Sequence, residues 1–205
     1  MTGAPWPGAY ERLLEDPAFG PLVERVGPVR FSEGGRLETF PFLVRSITFQ
    51  QLAGKAAATI HGRLVEALAG AVTPASVLHA PEEGLRAAGL SRSKLASIRD
   101  LAAKVADGSV GLDGIEELLD AEVVERLVQV RGIGRWTAEM LLIFHLRRPD
   151  VWPVGDLAVR AGLGKVLARA APDPKEAELI GTGYRPWRSA VAWYCWRAVE
   201  PAQPA

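Results

Sequence analysis

The residues of this chain that could do chemistry gather in a few short stretches, and the first is VRGIGRWTAEML, Val130 to Leu141. Gly132 and Gly134 bracket Ile133, and two glycines this close permit positive φ angles and leave the backbone open to approach. A turn of that kind at the start of a helix can aim consecutive backbone N–H groups at one oxygen-rich anion, typically a phosphate. The same glycines would serve a plain helix-to-helix connection, with Gly132 as a C-cap and Gly134 as turn punctuation. Arg131 and Arg135 flank the turn and Trp136 follows it, which concentrates charge, donors and a flat ring at one place and favours the anion. Asp156, in WPVGDLAVRAGL, follows Pro153 and Gly155 and precedes the apolar run Leu157, Val159 and Leu163. On spacing alone it reads as a helix N-cap. FQQLAGK, Phe49 to Lys55, offers the paired amides of Gln50 and Gln51, groups able to enter a nucleic-acid groove but in isolation more often solvated. RPWRSAVAWYCWR carries Trp187, Trp193 and Trp196, where helical spacing most often means core.

Helices must position these residues, because no stretch sustains strict apolar–polar alternation and the chain reads as nearly all α. Tyr10 to Val26, interrupted by Pro17 and Pro21, fits two short helices. Val29 to Phe40, with Gly34–Gly35, reads as a loop with brief extended pairing. Phe42 to Leu52 and Lys55 to Leu68 read as helices, the second with Ile60, Leu64, Val65 and Leu68 on one face. Thr73 caps a helix with Pro74 at its first position, and PEEGLRAAGL is a short helix closed by Gly89. Ser91 can cap a longer one over Lys94 to Ala106, whose apolar side carries Leu95, Ile98, Leu101, Ala102 and Val105. Leu112 to Leu119 and then Ala121 to Val130, with Val124, Leu127 and Val128 at helical spacing, lead into the glycine turn. Thr137 to Leu146 is a strongly apolar second helix.

At 205 residues the chain can form one substantial domain or two small lobes sharing a cleft, and 48% apolar content supports a buried core. Lys+Arg and Asp+Glu both total 24, so net charge by itself predicts neither a nucleic-acid nor a membrane partner. The distribution is uneven: acids prevail from Leu101 to Val130, and basic residues from Arg131 onward. That asymmetry is compatible with a one-sided polyanion site, or with solvated faces alone. Cys195 is the only cysteine, which excludes an intramolecular disulfide, a cysteine-ligated zinc site and a four-cysteine iron–sulfur cluster within one chain. With no basic start and apolar run at the N-terminus and no apolar stretch of membrane-spanning length, a soluble cytoplasmic protein is expected.

LVQVRGIGRWTAEMLLIF, then DVWPVGD, then GYRPWRSAVAWYCWR, occur in an order and spacing that resemble the helix-hairpin-helix (HhH-GPD) DNA glycosylase superfamily. Within it the pattern is most similar to the bacterial 3-methyladenine DNA glycosylase II group. The likeness spans roughly Phe40 to Arg197 and includes ITFQQLAGKAA and AAGLSRSKLASIRDLA. It implies an all-α, two-lobed glycosylase domain over residues 40–205, with a central cleft and its hairpin at about 121–146. Residues 1–39 would form a helical and loop segment packing on that core, without the separate N-terminal β domain of larger relatives.

The resemblance also implies roles. Asp156 stands at the essential aspartate, facing the cleft. Trp136 and Trp196 fall at base-stacking positions, and Met140, a turn after Trp136, would line the pocket or pack in the core. Gly132, Ile133, Gly134 and Arg135 would hold the DNA backbone, with a structural Na+ or K+ on the backbone carbonyls of Val128, Val130 and Ile133. No other cofactor is required. Gln50, Gln51 and Leu52 form the intercalating loop, with Gln51 where close relatives place a leucine. Trp187 and Arg188 would support the cleft or the backbone contacts. Relatives that also nick DNA carry a lysine at the position of Trp136, and an indole has no amine for a Schiff base. The implied activity is therefore a monofunctional glycosylase, with water as nucleophile, that flips alkylated purines out of damaged duplex DNA. A monomer is expected. The alternatives are a relative specialised for a deaminated, oxidised or cyclic-adduct base, and a non-catalytic helix-hairpin-helix DNA-binding module.

Overall fold

A computed structural model describes residues 5–31 and 37–200. The Gly34–Gly35 loop expected from sequence lies outside the described residues. The helices are α1 (Ala9–Leu14), α2 (Gly20–Val26), α3 (Thr39–Phe49), α4 (Gly54–Ala67), α5 (Pro74–His79), α6 (Glu82–Ala87), α7 (Arg92–Ala106), α8 (Asp120–Leu127), α9 (Arg135–Met140), α10 (Leu157–Val166), α11 (Pro174–Thr182) and α12 (Arg188–Val199). No strand occurs among the described residues, and no helix among them is long and apolar enough to cross a membrane. The chain divides into two compact units, Met1–Gly34 with Leu142–Ala205, and Gly35–Leu141.

In the first unit α12 is the central element, with Ala190, Val191, Ala192, Tyr194 and Cys195 fully buried along it. Helix α10 can press against α12 because Gly162 has no side chain: a Cβ there would lie 2.7 Å from the Cys195 Cα. Helices α1 and α2 also pack on α12, and the Tyr194 hydroxyl donates to the Gly27 carbonyl at 2.8 Å. The N-terminal segment is thus tied to the element that carries Trp196.

In the second unit α7 is the common neighbour, packing against α3, α5 and α6 through Leu95, Ile98, Leu101 and Ala102. Its N-terminus is capped by Ser91, whose Oγ accepts the Lys94 N–H, and α5 begins on a reciprocal Thr73–Ser76 capping box.

Several elements differ from the sequence expectation. Helix α3 ends at Phe49, so Gln50, Gln51 and Leu52 lie in a turn. Only one short 3-10 turn, Ile115–Glu117, forms within 112–119. Helix α8 buries Leu127 as expected but pairs it with Val123, followed by Val130, rather than with Val124 and Val128, the latter of which is exposed. Adjacent valines offer two equally apolar stripes, and the packing partner chooses between them. The second hairpin helix is not continuous: α9 stops at Met140 and Leu141–His145 forms a π-helical turn, a rare irregularity often found at functional sites.

Candidate functional site

The glycine turn is built in the second unit by helix α7. Gly132 adopts φ 76°, a left-handed conformation that favours glycine, and a Cβ there would collide with Ser97 Oγ. Gly134, the second expected positive-φ glycine, is instead extended at φ −95°, ψ 175° and serves as the N-cap of α9. One face of α7 fastens the turn: Asp100 Oδ2 accepts the Arg131 N–H at 2.7 Å, and Lys104 donates to Asp100 at 3.0 Å and to the Gln129 carbonyl at 2.5 Å. The Arg131 amide holds the Asp100 carboxyl below its ordinary range, with the Lys104 hydrogen bond adding to it. The Arg131 N–H is therefore committed to the protein, whereas the amides of Gly134 and Arg135 lie at the helix opening, where no intrahelical acceptor exists. Arg135 ion-pairs with Glu139 at 2.9 Å across one helical turn yet keeps 76% of its side chain exposed. Trp136, beside it, is 45% exposed, while Met140 is buried and Ile133 packs beneath the turn.

The turn after α3 sits against this hairpin. Gln51 takes φ 55°, unusual for a residue with a side chain, and both it and Leu52 are exposed. Gln50 does not extend into solvent: its Nε2 donates to the Gly132 carbonyl at 3.0 Å and to Thr137 Oγ1 at 3.1 Å.

Asp156 is in the first unit and is the N-cap of α10. Its Oδ1 accepts from the Ala158 and Val159 amides at 2.7 and 3.0 Å. Its Oδ2 accepts from Trp196 Nε1 at 3.3 Å, and the residue is 9% exposed. The carboxylate is thus held by a helix N-terminus on one oxygen and an indole N–H on the other, a fixed negative charge with a defined orientation. Its proximity, after burial, raises the pKa of the Cys195 thiol, which stays protonated and inert. The Trp196 ring stacks on Phe144, centroids 5.4 Å apart at 29°. Phe144 meets Phe31 edge-on at 5.5 Å, Phe31 meets Trp6 edge-on at 5.5 Å, and the Arg147 guanidinium lies 3.6 Å over the Phe31 ring. Trp193 is buried, as the sequence suggested. Arg188 is buried in a bidentate pair with Asp150, at 2.6 and 3.0 Å, and reaches Glu178 at 3.4 Å, so its charge is spent inside the unit. Trp187 is the N-cap of α12.

Residues 44–185 match the family model of the HhH-GPD superfamily base excision DNA repair proteins. The chain belongs to that superfamily. The HhH-GPD chain is 36% identical over 191 residues to the DNA-3-methyladenine glycosylase 1 of Schizosaccharomyces pombe, covering 88% of this sequence and 82% of that one. The solved structure of the 3-methyladenine DNA glycosylase of the same yeast, in complex with abasic DNA, superimposes with a TM-score of 0.84 at 34% identity, covering 95% and 97% of the two chains. A DNA-3-methyladenine glycosidase from Bacillus halodurans gives a TM-score of 0.80 at 30% identity, over 93% and 88%.

In this HhH-GPD protein the residues that sequence reasoning overlooks are those whose importance lies in distant contacts. Phe144 and Phe31 read as ordinary apolar residues, and nothing local marks them as the buttress of Trp196. Ser97 and Asp100 belong to a helix whose apolar stripe alone attracts notice; only the i,i+4 spacing of Asp100 and Lys104 hints at a paired polar face.

Proposed function

We propose that this chain is a monofunctional DNA glycosylase that flips alkylated purines, of the 3-methyladenine and 7-methylguanine type, out of duplex DNA and hydrolyses their N-glycosidic bonds. The observation that carries the reading is Asp156, oriented on both oxygens by the α10 N-terminus and Trp196, in a chain 36% identical to a curated 3-methyladenine glycosylase. A module that only bound DNA would need the cap that Oδ1 provides to α10, but not the second oxygen held by the Trp196 indole.

An N3- or N7-alkylated purine carries positive charge. When its C1′–N bond breaks, the bonding pair stays with the base, which leaves neutral, and the positive charge moves to the deoxyribose as an oxocarbenium-like species. Asp156 stabilises that charge electrostatically. Water adds its oxygen to C1′ and gives up a proton, to the Asp156 carboxylate or to solvent. The chain holds no lysine at Trp136, so no amine is supplied there for a Schiff base and strand nicking is not part of the reaction. Trp136 and Trp196 supply electron-rich faces for the cationic base, an attraction worth about 0.5–2 kcal/mol. Phe144 covers one face of Trp196, so a base would stack on the other.

The amides of Gly132, Gly134 and Arg135 hold backbone phosphate without reading sequence. The donor set at the hairpin also fits a monovalent cation: Val128, Val130 and Ile133 offer neutral carbonyl oxygens in a segment curled by the Val130 N–H to Leu127 and Ile133 N–H to Val130 hydrogen bonds, both 3.1 Å. Bound there, Na+ or K+ would supply positive charge toward the phosphate. Gln51 and Leu52 enter the space left by the flipped nucleotide, and the protein acts as a monomer.

The test is to incubate the protein with methylated duplex DNA and measure free base, then strand breaks before and after alkali. Base release with breaks only after alkali is expected. Nicking by the protein itself would overturn the monofunctional assignment, and no release of alkylated purine would overturn the substrate.

A further inference from the structure

Gln50 is the C-cap that follows α3, its ψ of 131° turns the chain out of the helix, and Gln51 follows at φ 55°. The turn closes through the Leu52 N–H to the Phe49 carbonyl at 3.3 Å, and it leaves Gln51, Leu52 and Ala53 exposed. A loop this short and this exposed has little packing of its own. Its anchor is the Gln50 side chain, one amide whose two N–H groups reach Gly132 O, in the glycine turn, and Thr137 Oγ1, inside the first turn of α9. These partners lie 82 and 87 residues downstream. Both are themselves fixed. Gly132 presents its carbonyl through a left-handed conformation seated against Ser97, and Thr137 is buried. Helix α7 secures the two sides separately, with Lys94 Nζ donating to the Thr48 carbonyl at the end of α3 at 2.7 Å and Asp100 holding the Arg131 amide.

We infer that Gln50 is a positioning residue that locks the stack-entering turn to the phosphate-holding hairpin, so that gripping the backbone places the wedge. The inference rests on the function proposed above. Chemically the position asks for a neutral planar group with two donors at the reach of glutamine. A carboxylate of the same shape has no donor and would set its charge against the Gly132 carbonyl. Asparagine is one methylene short. A wedge does work only if it is held while the stack yields, because extruding a base costs free energy that is least where the pair is already broken. Loss of the lock should therefore be felt at a paired lesion and hardly at an unpaired one.

The experiment compares single-turnover excision of one 7-methylguanine from two duplexes, one with cytosine opposite and one with an abasic site opposite. The proteins are the unaltered chain, Gln50→Glu, Gln50→Ala, Thr137→Val and Thr137→Ser. Gln50→Glu and Gln50→Ala should lose about tenfold on the paired lesion, the effect of one or two neutral hydrogen bonds, and less than about threefold on the unpaired one. A 2-aminopurine beside the lesion should brighten less on binding in the same variants. Thr137→Val, which removes one acceptor without touching the loop, should reproduce part of the paired-lesion loss, and Thr137→Ser should restore it. Equal losses on both duplexes, or none on either, would overturn the lock. Should the Gln50 variants fail to fold, the Thr137 pair decides on the same criterion. An unaltered protein inactive on both duplexes would count against the proposed function instead.

Discussion

A carboxylate at a helix N-terminus can be a cap, a catalyst or both, and the two oxygens of Asp156 are held by different partners. Oδ1 takes the two helix amides and Oδ2 takes the Trp196 indole. Asparagine is as good an N-cap as aspartate, so Asp156→Asn should keep α10 intact and bind DNA normally while losing excision by about 10²-fold or more, the usual scale for a preorganised electrostatic group. Melting curves and binding isotherms beside the excision rate check this; an active Asp156→Asn protein removes Asp156 from the chemistry. Trp196→Phe asks a different question. Phenylalanine retains the stack on Phe144 and removes the donor to Oδ2. Excision should fall roughly five- to tenfold, the worth of one charge-assisted hydrogen bond, with a smaller loss of base affinity because phenyl is a weaker cation–π face than indole. If base affinity falls as far as the rate, the indole matters as a platform and its N–H does not.

Helices α10 and α12 carry these two residues, and their spacing is set where Gly162 lies on the Cys195 backbone. Gly162→Ala forces the helices apart and should lower stability by about 1–3 kcal/mol while lengthening the Asp156–Trp196 contact; a thermal shift without loss of activity would show that the spacing is not catalytic. In the other unit, burial and the Arg45 guanidinium lower the His61 pKa from its ordinary 6.5, with the ring edge-on to Phe49 at 6.2 Å. The unfolded chain therefore binds the proton more readily than the folded one. The His61 contribution to stability should be constant above about pH 7 and fall as pH drops through 6.5, and denaturant titrations of His61→Gln should show a flatter profile across that window. Asp100, lowered from 3.8, stabilises fully throughout that window, and its contribution is lost only at lower pH, as pH falls below 3.8 through its folded value. Local signals suffice for much of this architecture. Thr73, Ser91 and Asp156 cap helices as their types and positions indicate, since a cap is decided within four residues. They do not suffice for α8, where Val123 and Val124 are equally apolar and only the tertiary partner selects Val123. The run after Thr137 gives no sign that it changes from α to π at Leu141. The Gln50 brace spans 82 residues, beyond any window of sequence.

Taken whole, the chain has no net charge, 24 basic residues against 24 acidic, and this constrains how it can hold a polyanion. General attraction of the molecule to DNA is weak, so binding must rest on a small set of directed contacts. Each phosphate neutralised by a cationic side chain steepens the fall of log affinity with log salt by about 0.9, whereas backbone amides grip phosphate without releasing a counterion pair of their own. A hairpin that works mainly through amides therefore predicts a shallow slope, about −2 to −3 between roughly 50 and 200 mM salt. Arg135 is the side chain placed to add to it, being exposed and tethered only by its pair with the buried Glu139. Arg135→Ala should flatten the slope by about 1 and weaken binding evenly across DNA sequences, as read by fluorescence anisotropy on duplexes of unrelated sequence. A slope unchanged by the substitution would leave the phosphate to the amides alone. A slope steeper than about −6 would mean that the basic residues after Arg131 form an extended DNA-binding face, and the hairpin would then be one contact among many rather than the point on which binding turns.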